Sequence, residues 1–395
     1  MEYKFSDRIS ALKPSAIREI LKAVQDPNAI SFAAGSPAAE AFPAEAMRDF
    51  ASKILTESPA AALAYGVSEG YNPLREAVLR RMREKYATGT DDDDVLIVTG
   101  GQQGIELLSK CVLNEGDTVI SEAPSFVGAL NAFRSFNVNL AGVPMDDDGM
   151  NIEALENALR ENPNAKFIYV IPTFQNPSGR VTSLEKRKAI LALAEKYDVL
   201  VLEDNPYFEL RYSGEYVPTI KSLDTNGRVV YCGSFSKILS PGIRVGYVIA
   251  GRALISKMTV AKQVSDVHTN LLFQMVVHKM MTEFDLDAHI KGLCDLYRVK
   301  RDAMVNALRK EMPGADFIVP DGGLFLWLKL PDTVSGADFA KACSARGVMG
   351  VPGATFLMDD TQMCSYVRLN FSTPSIEQIE KGIAIMGQAA KEFGF

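Results

Sequence analysis

The sequence predicts an α/β protein: a large domain with a mainly parallel central sheet flanked by helices, plus a smaller α+β domain. Three observations carry this. Between Val95 and Ala250, short β-branched runs alternate with amphipathic segments. The runs are near-continuously apolar, as strands covered by helices on both faces must be. Beyond residue 313 the pattern restarts as strands and helices of its own. At 395 residues and 47% hydrophobic, the chain is large enough for both bodies. The expected division is 1–45 (an N-terminal helix and loop belonging to the small domain), 46–305 (the large domain) and 306–395 (the rest of the small one).

Taken in order, the first element is a helix from Ser15 to Val24. Ser15 suits its N-cap, Glu19 stands near the capping-box position, and Arg18 falls in the first turn. Ala33-Ala34-Gly35-Ser36-Pro37 then marks a loop whose backbone can approach another group closely. Residues 42–86 read as two helices around Ala64–Tyr71, a Gly-flanked loop bearing Tyr65 and Tyr71. The strand runs are Val95–Thr99, Thr118–Ser121, Leu140–Pro144, Lys166–Ile171, Val199–Leu202, Val229–Cys232 and Val245–Ala250. Helical patterns at Gln103–Leu113, Ile152–Arg160 and Leu184–Tyr197 lie between them. Arg252–Met281 and Ala288–Glu311 follow as long helices. Strands are expected at Phe317–Val319, Leu324–Lys329 and Val367–Phe371, and helices at Ala337–Ala345 and Ser375–Phe393.

Composition removes several classes of function. The net charge is −7 and the pI near 5.3, so nucleic acid is not an expected partner. The run Asp91–Asp94 reads as a solvated loop before a strand. Five scattered cysteines fit reduced thiols, not a disulfide framework, and His268, His278 and His289 form no metal-spaced pair. No apolar run approaches the roughly 20 residues that span a bilayer, and the N-terminus is polar. The expectation is a cytoplasmic enzyme without a metal.

The loops at the carboxyl ends of the runs carry the chemistry, since ligands of parallel sheets bind there. Gly100-Gly101-Gln102-Gln103-Gly104 opens a helix and offers backbone N–H donors to an anion. It is neither a dinucleotide fingerprint nor a P-loop. Phe126 stands at a strand-to-helix turn, either as a core aromatic or as a face for a planar ring. Asn176 precedes a proline and is held extended. Asp204 ends a buried strand, where a carboxylate needs a partner, and Tyr207 follows three residues on. Gly233-Ser234-Phe235-Ser236-Lys237 leads on to Arg244. A lysine whose charge is disfavoured becomes a nucleophile toward carbonyls. Two hydroxyls and a guanidinium suit a phosphate dianion. The segment therefore suits both ends of pyridoxal phosphate, although Ser-x-Ser-Lys alone reads equally well as an exposed turn. Arg368 is a lone cation in an apolar run, either facing solvent or clamping a carboxylate.

Together, and in this order, Asn176-Pro177-Ser178-Gly179, Asp204-x-x-Tyr207, Ser234-x-Ser236-Lys237 with Arg244, and Arg368 resemble the pyridoxal-phosphate-dependent aminotransferases of fold type I, class I/II. Tyr65-Gly66, Phe174-Gln175-Asn176 and Gly233-Ser234-Phe235 bring the chain nearest to the 2-aminoadipate/kynurenine branch. The resemblance implies that Lys237 carries the cofactor and acts in catalysis. It implies that Asp204 pairs with the pyridine nitrogen, that Asn176 and Tyr207 meet the phenolic oxygen, and that Phe126 stacks on the ring. Gly101, Gln102, Ser234, Ser236 and Arg244 are implied for the phosphate, with Tyr65 reaching it from a neighbouring subunit of a homodimer with shared active sites. Arg368, Asn176 and Gly35 are implied for the substrate carboxylate, and Arg18 for a side-chain carboxylate. The implied reaction moves an amino group between an amino acid (glutamate or 2-aminoadipate, with aromatic and branched-chain amino acids as further candidates) and a 2-oxo acid such as 2-oxoglutarate. A C–S β-lyase or a decarboxylase shares the cofactor residues. A gene regulator built on this fold is disfavoured by the acidic charge and the lack of a preceding domain. Two departures from the family pattern stand out: Gly101 where a hydroxyl residue is frequent, and Ala34-Gly35-Ser36 where Gly-Gly is frequent.

Overall fold

The computed structural model describes residues 3–10, 12, 14 and 29–395. The helix expected from Ser15 to Val24 lies outside them. In chain order the strands are β1 (Ile30–Ser31), β2 (Asp93–Val98), β3 (Thr118–Ala123), β4 (Asn139–Asp146), β5 (Gly149–Met150), β6 (Ala165–Val170), β7 (Leu200–Asp204), β8 (Val229–Ser234), β9 (Gly246–Gly251), β10 (Phe325–Lys329), β11 (Val348–Met349), β12 (Val351–Pro352) and β13 (Tyr366–Asn370).

Each run expected between Val95 and Ala250 is a strand of one eight-stranded sheet, ordered β2-β9-β8-β7-β6-β3-β4-β5. The strands β8, β7, β6, β3 and β4 run parallel, whereas β9 runs antiparallel to both β8 and β2. Only residues 235–245 separate β8 from β9. They form the Lys237 turn instead of a crossover helix, so the chain returns antiparallel.

Apolar side chains leave both faces of this sheet. Val98, Val119, Phe167, Leu202 and Val230 pack under helices Gly101–Val112 and Val127–Arg134. Ile120, Ile168, Val201 and Val229 pack under helices Ile152–Glu161 and Leu184–Lys196. Each such side chain, fully buried, contributes about 1.5–3 kcal/mol. This double covering leaves the strand ends as the place where polar loops can converge.

The second body combines the antiparallel sheet β10-β13-β12 with the parallel pair β1-β11. Helix Ile376–Glu392 begins with a capping box formed by Ser375 and Gln378. It packs on the long helix Leu286–Glu311. The same long helix reaches the 36–40 loop, where Lys300 pairs with Glu40 at 2.6 Å and Tyr297 Oη accepts from Ala38 N at 3.2 Å.

Three local expectations are corrected. Phe317–Val319 is not a strand: Asp316 alone bridges Lys329, and Ile318 and Val319 stay exposed with no sheet edge to bury them. Arg252–Met281 is two helices, Arg252–Gln263 and Leu271–Thr282. The break carries Val267 at a φ of 68°, which no helix accommodates. Asp91–Asp94 is not wholly a solvated loop: Asp93 is buried and pairs with buried Lys221 at 2.8 Å. Among the described residues no helix is long and apolar enough to cross a membrane.

Candidate active site

The carboxyl ends of β2, β3, β6, β7 and β8 meet the second body around a cavity of about 550 Å³. Gly35, Gly101, Gln102, Phe126, Asn176, Asp204, Tyr207, Ser234, Ser236, Lys237, Arg244 and Arg368 all line it. Tyr65 does not. It stands 89% exposed, with its ring edge against His268 at 5.9 Å. Arg18 lies outside the described residues.

One end of the cavity suits an anion. Helix Gly101–Val112 begins there, and its first N–H groups have no intrahelical acceptor. Gly100 has a φ of 80°, and any side chain on it would collide with the Arg244 guanidinium. Arg244 itself is left-handed, at a φ of 53°, and donates to Thr99 O at 3.0 Å and Pro241 O at 3.3 Å. Ser234 Oγ donates to Ser236 Oγ at 2.9 Å and accepts from Ser236 N at 3.1 Å. A Cβ on Gly101 would meet only Cys232 Sγ at 3.6 Å and Ser234 Cβ at 3.9 Å, ordinary contacts.

Lys237 stands between this end and the rest. Its ammonium donates to Gly35 O at 2.7 Å. Burial, then the positive charges of Arg368 and Arg244, pull its pKa down to about 8. A fraction of neutral, nucleophilic amine is therefore present at neutral pH. Asp204 lies deep at the end of β7. Burial raises its pKa to about 6, against the opposing pull of a hydrogen bond from Tyr169 and the charge of Lys237. Tyr169 Oη donates to Asp204 Oδ2 at 2.8 Å, from the adjacent strand β6.

The other end suits a carboxylate. Arg368 is buried, which settles the choice between a solvent-facing and an interior position. Nη1 donates to Asn176 Oδ1 at 3.0 Å and Nη2 to Ala33 O at 2.7 Å, while Nε has no partner. Its guanidinium lies over the faces of Phe325 and Phe356, 4.2 and 5.0 Å from their centroids. Burial pulls its pKa down to about 10. Among the described residues no carboxylate pairs with it, so an incoming carboxylate would find a desolvated cation waiting. Asn176 joins the two regions, since its Nδ2 also reaches Tyr207 Oη at 3.5 Å.

Sequence reasoning missed several members. Tyr169 sits inside an apolar run and reads as core. Glu122 ends β3, fully enclosed, and its Oε2 accepts from Ile171 N at 3.1 Å and Gln175 Nε2 at 3.2 Å. It thereby ties the Gln175–Asn176 loop to the sheet. A glutamate at the end of a buried strand was the signal available, as it was for Asp204.

A doubly covered, mainly parallel sheet with a lysine, a buried carboxylate and a desolvated arginine at its strand ends defines an enzyme of fold type I. The family model for aminotransferases of class I and II matches residues 27–385, and the chain belongs to that family. It is 40% identical to aromatic-amino-acid aminotransferase 1 of Thermococcus litoralis, over 99% of this chain and 95% of that one. It is 37% identical to the 2-aminoadipate transaminase of Thermus thermophilus, over 98% and 96%. Among solved structures, the kynurenine aminotransferase of Pyrococcus horikoshii, in complex with PMP, KYN and KYA, superposes with a TM-score of 0.95 at 38% identity, covering 99% and 98%. The chain is thus an amino-acid aminotransferase, from a family whose members depend on pyridoxal phosphate.

Proposed function

We propose that the cavity holds pyridoxal phosphate on Lys237 and exchanges amino groups between amino acids and 2-oxo acids. The observation that carries this reading is the meeting of Lys237, Asp204 and Arg368, distant in sequence, along one cavity. The residues fit the cofactor. Ser234, Ser236, Arg244 and the backbone at Gly101–Gln102 suit its phosphate. Phe126 offers a face to its ring, Asp204 a carboxylate to its ring nitrogen, and Asn176 and Tyr207 hydrogen bonds to its phenolic oxygen. Tyr65, bare on this chain, suits the phosphate of a second copy, which supports a homodimer. We also propose the division into 1–45 with 306–395 as one domain and 46–305 as the other.

When bound, the cofactor supplies a carbonyl that captures amines and a ring that accepts the electrons of a broken Cα–H bond. The chain's own residues do the rest. Arg368 grips the substrate carboxylate through Nη1 and Nη2, with its partnerless Nε as a further donor. Asn176 then sits between that carboxylate and Tyr207, which fixes the orientation of the substrate Cα. Asp204, held in place by Tyr169 Oη, would hold a proton on the cofactor's ring nitrogen. Lys237 Nζ would take the Cα proton and pass it to the cofactor's carbonyl carbon, so that the nitrogen stays with the cofactor. Such a positioned base contributes roughly 10²- to 10⁴-fold.

Glutamate, 2-aminoadipate and aromatic amino acids are the proposed donors. The relatives named for aromatic amino acids and for 2-aminoadipate support this breadth, and Arg18 is the proposed contact for a second carboxylate. The test is a half-reaction: load the protein with pyridoxal phosphate, add glutamate without an oxo acid, and measure 2-oxoglutarate. Stoichiometric release, absent in Lys237→Ala, is expected; no matching 2-oxo acid from any of glutamate, 2-aminoadipate or phenylalanine would refute the reading. Arg18→Gln should lower kcat/KM for glutamate and spare phenylalanine. An equal loss for both would remove Arg18 from the account.

A further inference from the structure

Behind the anion-accepting turn lies a charge that the mechanism above does not use. Lys262, near the end of helix Arg252–Gln263, is completely buried. An ammonium in that position is costly unless its protons are met. Here they are met: Nζ donates to Gln103 Oε1 at 2.6 Å and to the two oxygens of Asp266 at 2.8 and 3.1 Å. A surface pair of this spacing is worth only a few tenths of a kcal/mol and needs no burial. Helix stabilisation therefore does not explain why this one is enclosed.

What the pair touches does. Gln103 Oε1 also accepts from Thr99 N at 2.8 Å, and Asp266 Oδ2 accepts from Thr99 Oγ1 at 2.6 Å. Thr99 is thus gripped from behind by both its amide and its hydroxyl. Its carbonyl, on the other side, receives Arg244 Nη2 at 3.0 Å. Residue 100 follows at once, with no room for a side chain beside that guanidinium. Arg244 and the start of helix Gly101–Val112 therefore take their relative positions from Thr99, and Thr99 takes its own from Lys262 and Asp266. The chain bends sharply to make this possible. The amides of Ser265, Asp266 and Val267 all turn back onto Lys262 O, and Val267 is forced to a φ of 68°. A β-branched residue in that region is strained and persists only where its surroundings over-determine it.

We propose that Lys262 and Asp266 are positioning residues, a brace that sets the anion-accepting turn and Arg244 in register for the phosphate of pyridoxal phosphate. The proposal rests on the reading that this cavity holds that cofactor. The brace acts on the phosphate alone. Lys237 shares the 235–245 turn with Arg244, but neither it nor Asp204 nor Asn176 makes a hydrogen bond to Lys262, Asp266, Gln103 or Thr99.

The experiment compares two ligands that differ only in the phosphate. Cofactor-free protein, wild type and Lys262→Met, is titrated with pyridoxal phosphate and with pyridoxal, and adduct formation on Lys237 is read by absorbance. The expected result is pyridoxal phosphate affinity about tenfold weaker in Lys262→Met, the worth of one charge-assisted hydrogen bond, with pyridoxal uptake unchanged. Asp266→Asn, which keeps an acceptor for Thr99 Oγ1, should lose less. Should Lys262→Met fail to fold, Gln103→Met removes the same link from the other side. Unchanged affinity for pyridoxal phosphate, or an equal loss for both ligands, overturns the brace. A wild-type protein that takes up neither ligand overturns the cofactor reading, and the brace with it.

Discussion

The end of the cavity around Ser234, Ser236 and Arg244 is drawn from two strand-to-loop turns of one sheet, residues 99–104 and 234–244. The end around Arg368 is drawn from Ala33–Gly35, Asn176, Phe325 and Phe356, four separate parts of the chain. The first end is held on one side of the molecule by a helix N-terminus, a left-handed Arg244 and paired hydroxyls, backed by Lys262 and Asp266. The second is rigid only because the two bodies pack together around a buried guanidinium. A site of this kind keeps its phosphate-type contacts on one sheet. On the proposed reading, the groups that would read the substrate span a seam, where sequence change could alter specificity without touching the cofactor.

The comparison is broken most severely at Arg368. Arg368→Gln removes a desolvated charge, a loss of about 3–5 kcal/mol, so kcat/KM should fall roughly 10²- to 10⁴-fold. Cofactor affinity, set at the other end, should hold. Titration with pyridoxal phosphate alongside steady-state kinetics checks both, and a parallel fall in cofactor affinity would show that the two ends are not separable.

A smaller effect sharpens the role of the loop between them. Burial pushes the Glu122 carboxyl up to about 8, against hydrogen bonds from Ile171 and Gln175 that pull it down. Its folded-state pKa lies above the unfolded value. The protonated form therefore stabilises fully below the unfolded value, and that stabilisation is lost as pH rises through about 8. Glu122→Gln, isosteric with the protonated acid, should thus flatten the decline of Tm between about pH 5 and about pH 9. Thermal melts at the two ends of that range decide it; an unchanged slope would mean that Glu122 is ionised in the fold.

The smallest effect is expected at Gly101. The position has room for a Cβ and opens a helix, where glycine costs up to about 1 kcal/mol relative to better helix formers. Gly101→Ser should raise Tm slightly and tighten pyridoxal phosphate by a few-fold, by adding a hydroxyl beside Ser234. A weaker cofactor would show that the turn tolerates no side chain.

What could be read in advance follows the same division. The apolar runs of the large sheet were legible because burial on both faces leaves an unbroken hydrophobic signature. Lys237, Ser234, Ser236 and Arg244 were legible because a short segment holds them all. Arg368 kept two readings, since a lone cation in a strand does not reveal which face is covered. Tyr169, Glu122 and the aromatic faces of Phe325 and Phe356 were not legible. Their meaning lies in contacts across neighbouring strands or across the two bodies, which spacing along one strand does not encode. The antiparallel β9 was hidden because a parallel and an antiparallel buried strand have the same composition.

The pairing of β1 with β11 has a consequence for the order in which the molecule is made. Ile30 meets Val348, so the second body needs nearly the whole chain before its first and last pieces can join. The large sheet is complete by Gly251. On a ribosome, and in refolding, the sheet with Lys237 and Asp204 is therefore expected to close first, and the Ala33–Gly35 loop and Arg368 last. Pulse-labelling by hydrogen exchange should find β6–β8 protected before β13, as a species already shaped for its cofactor and still blind to its substrate.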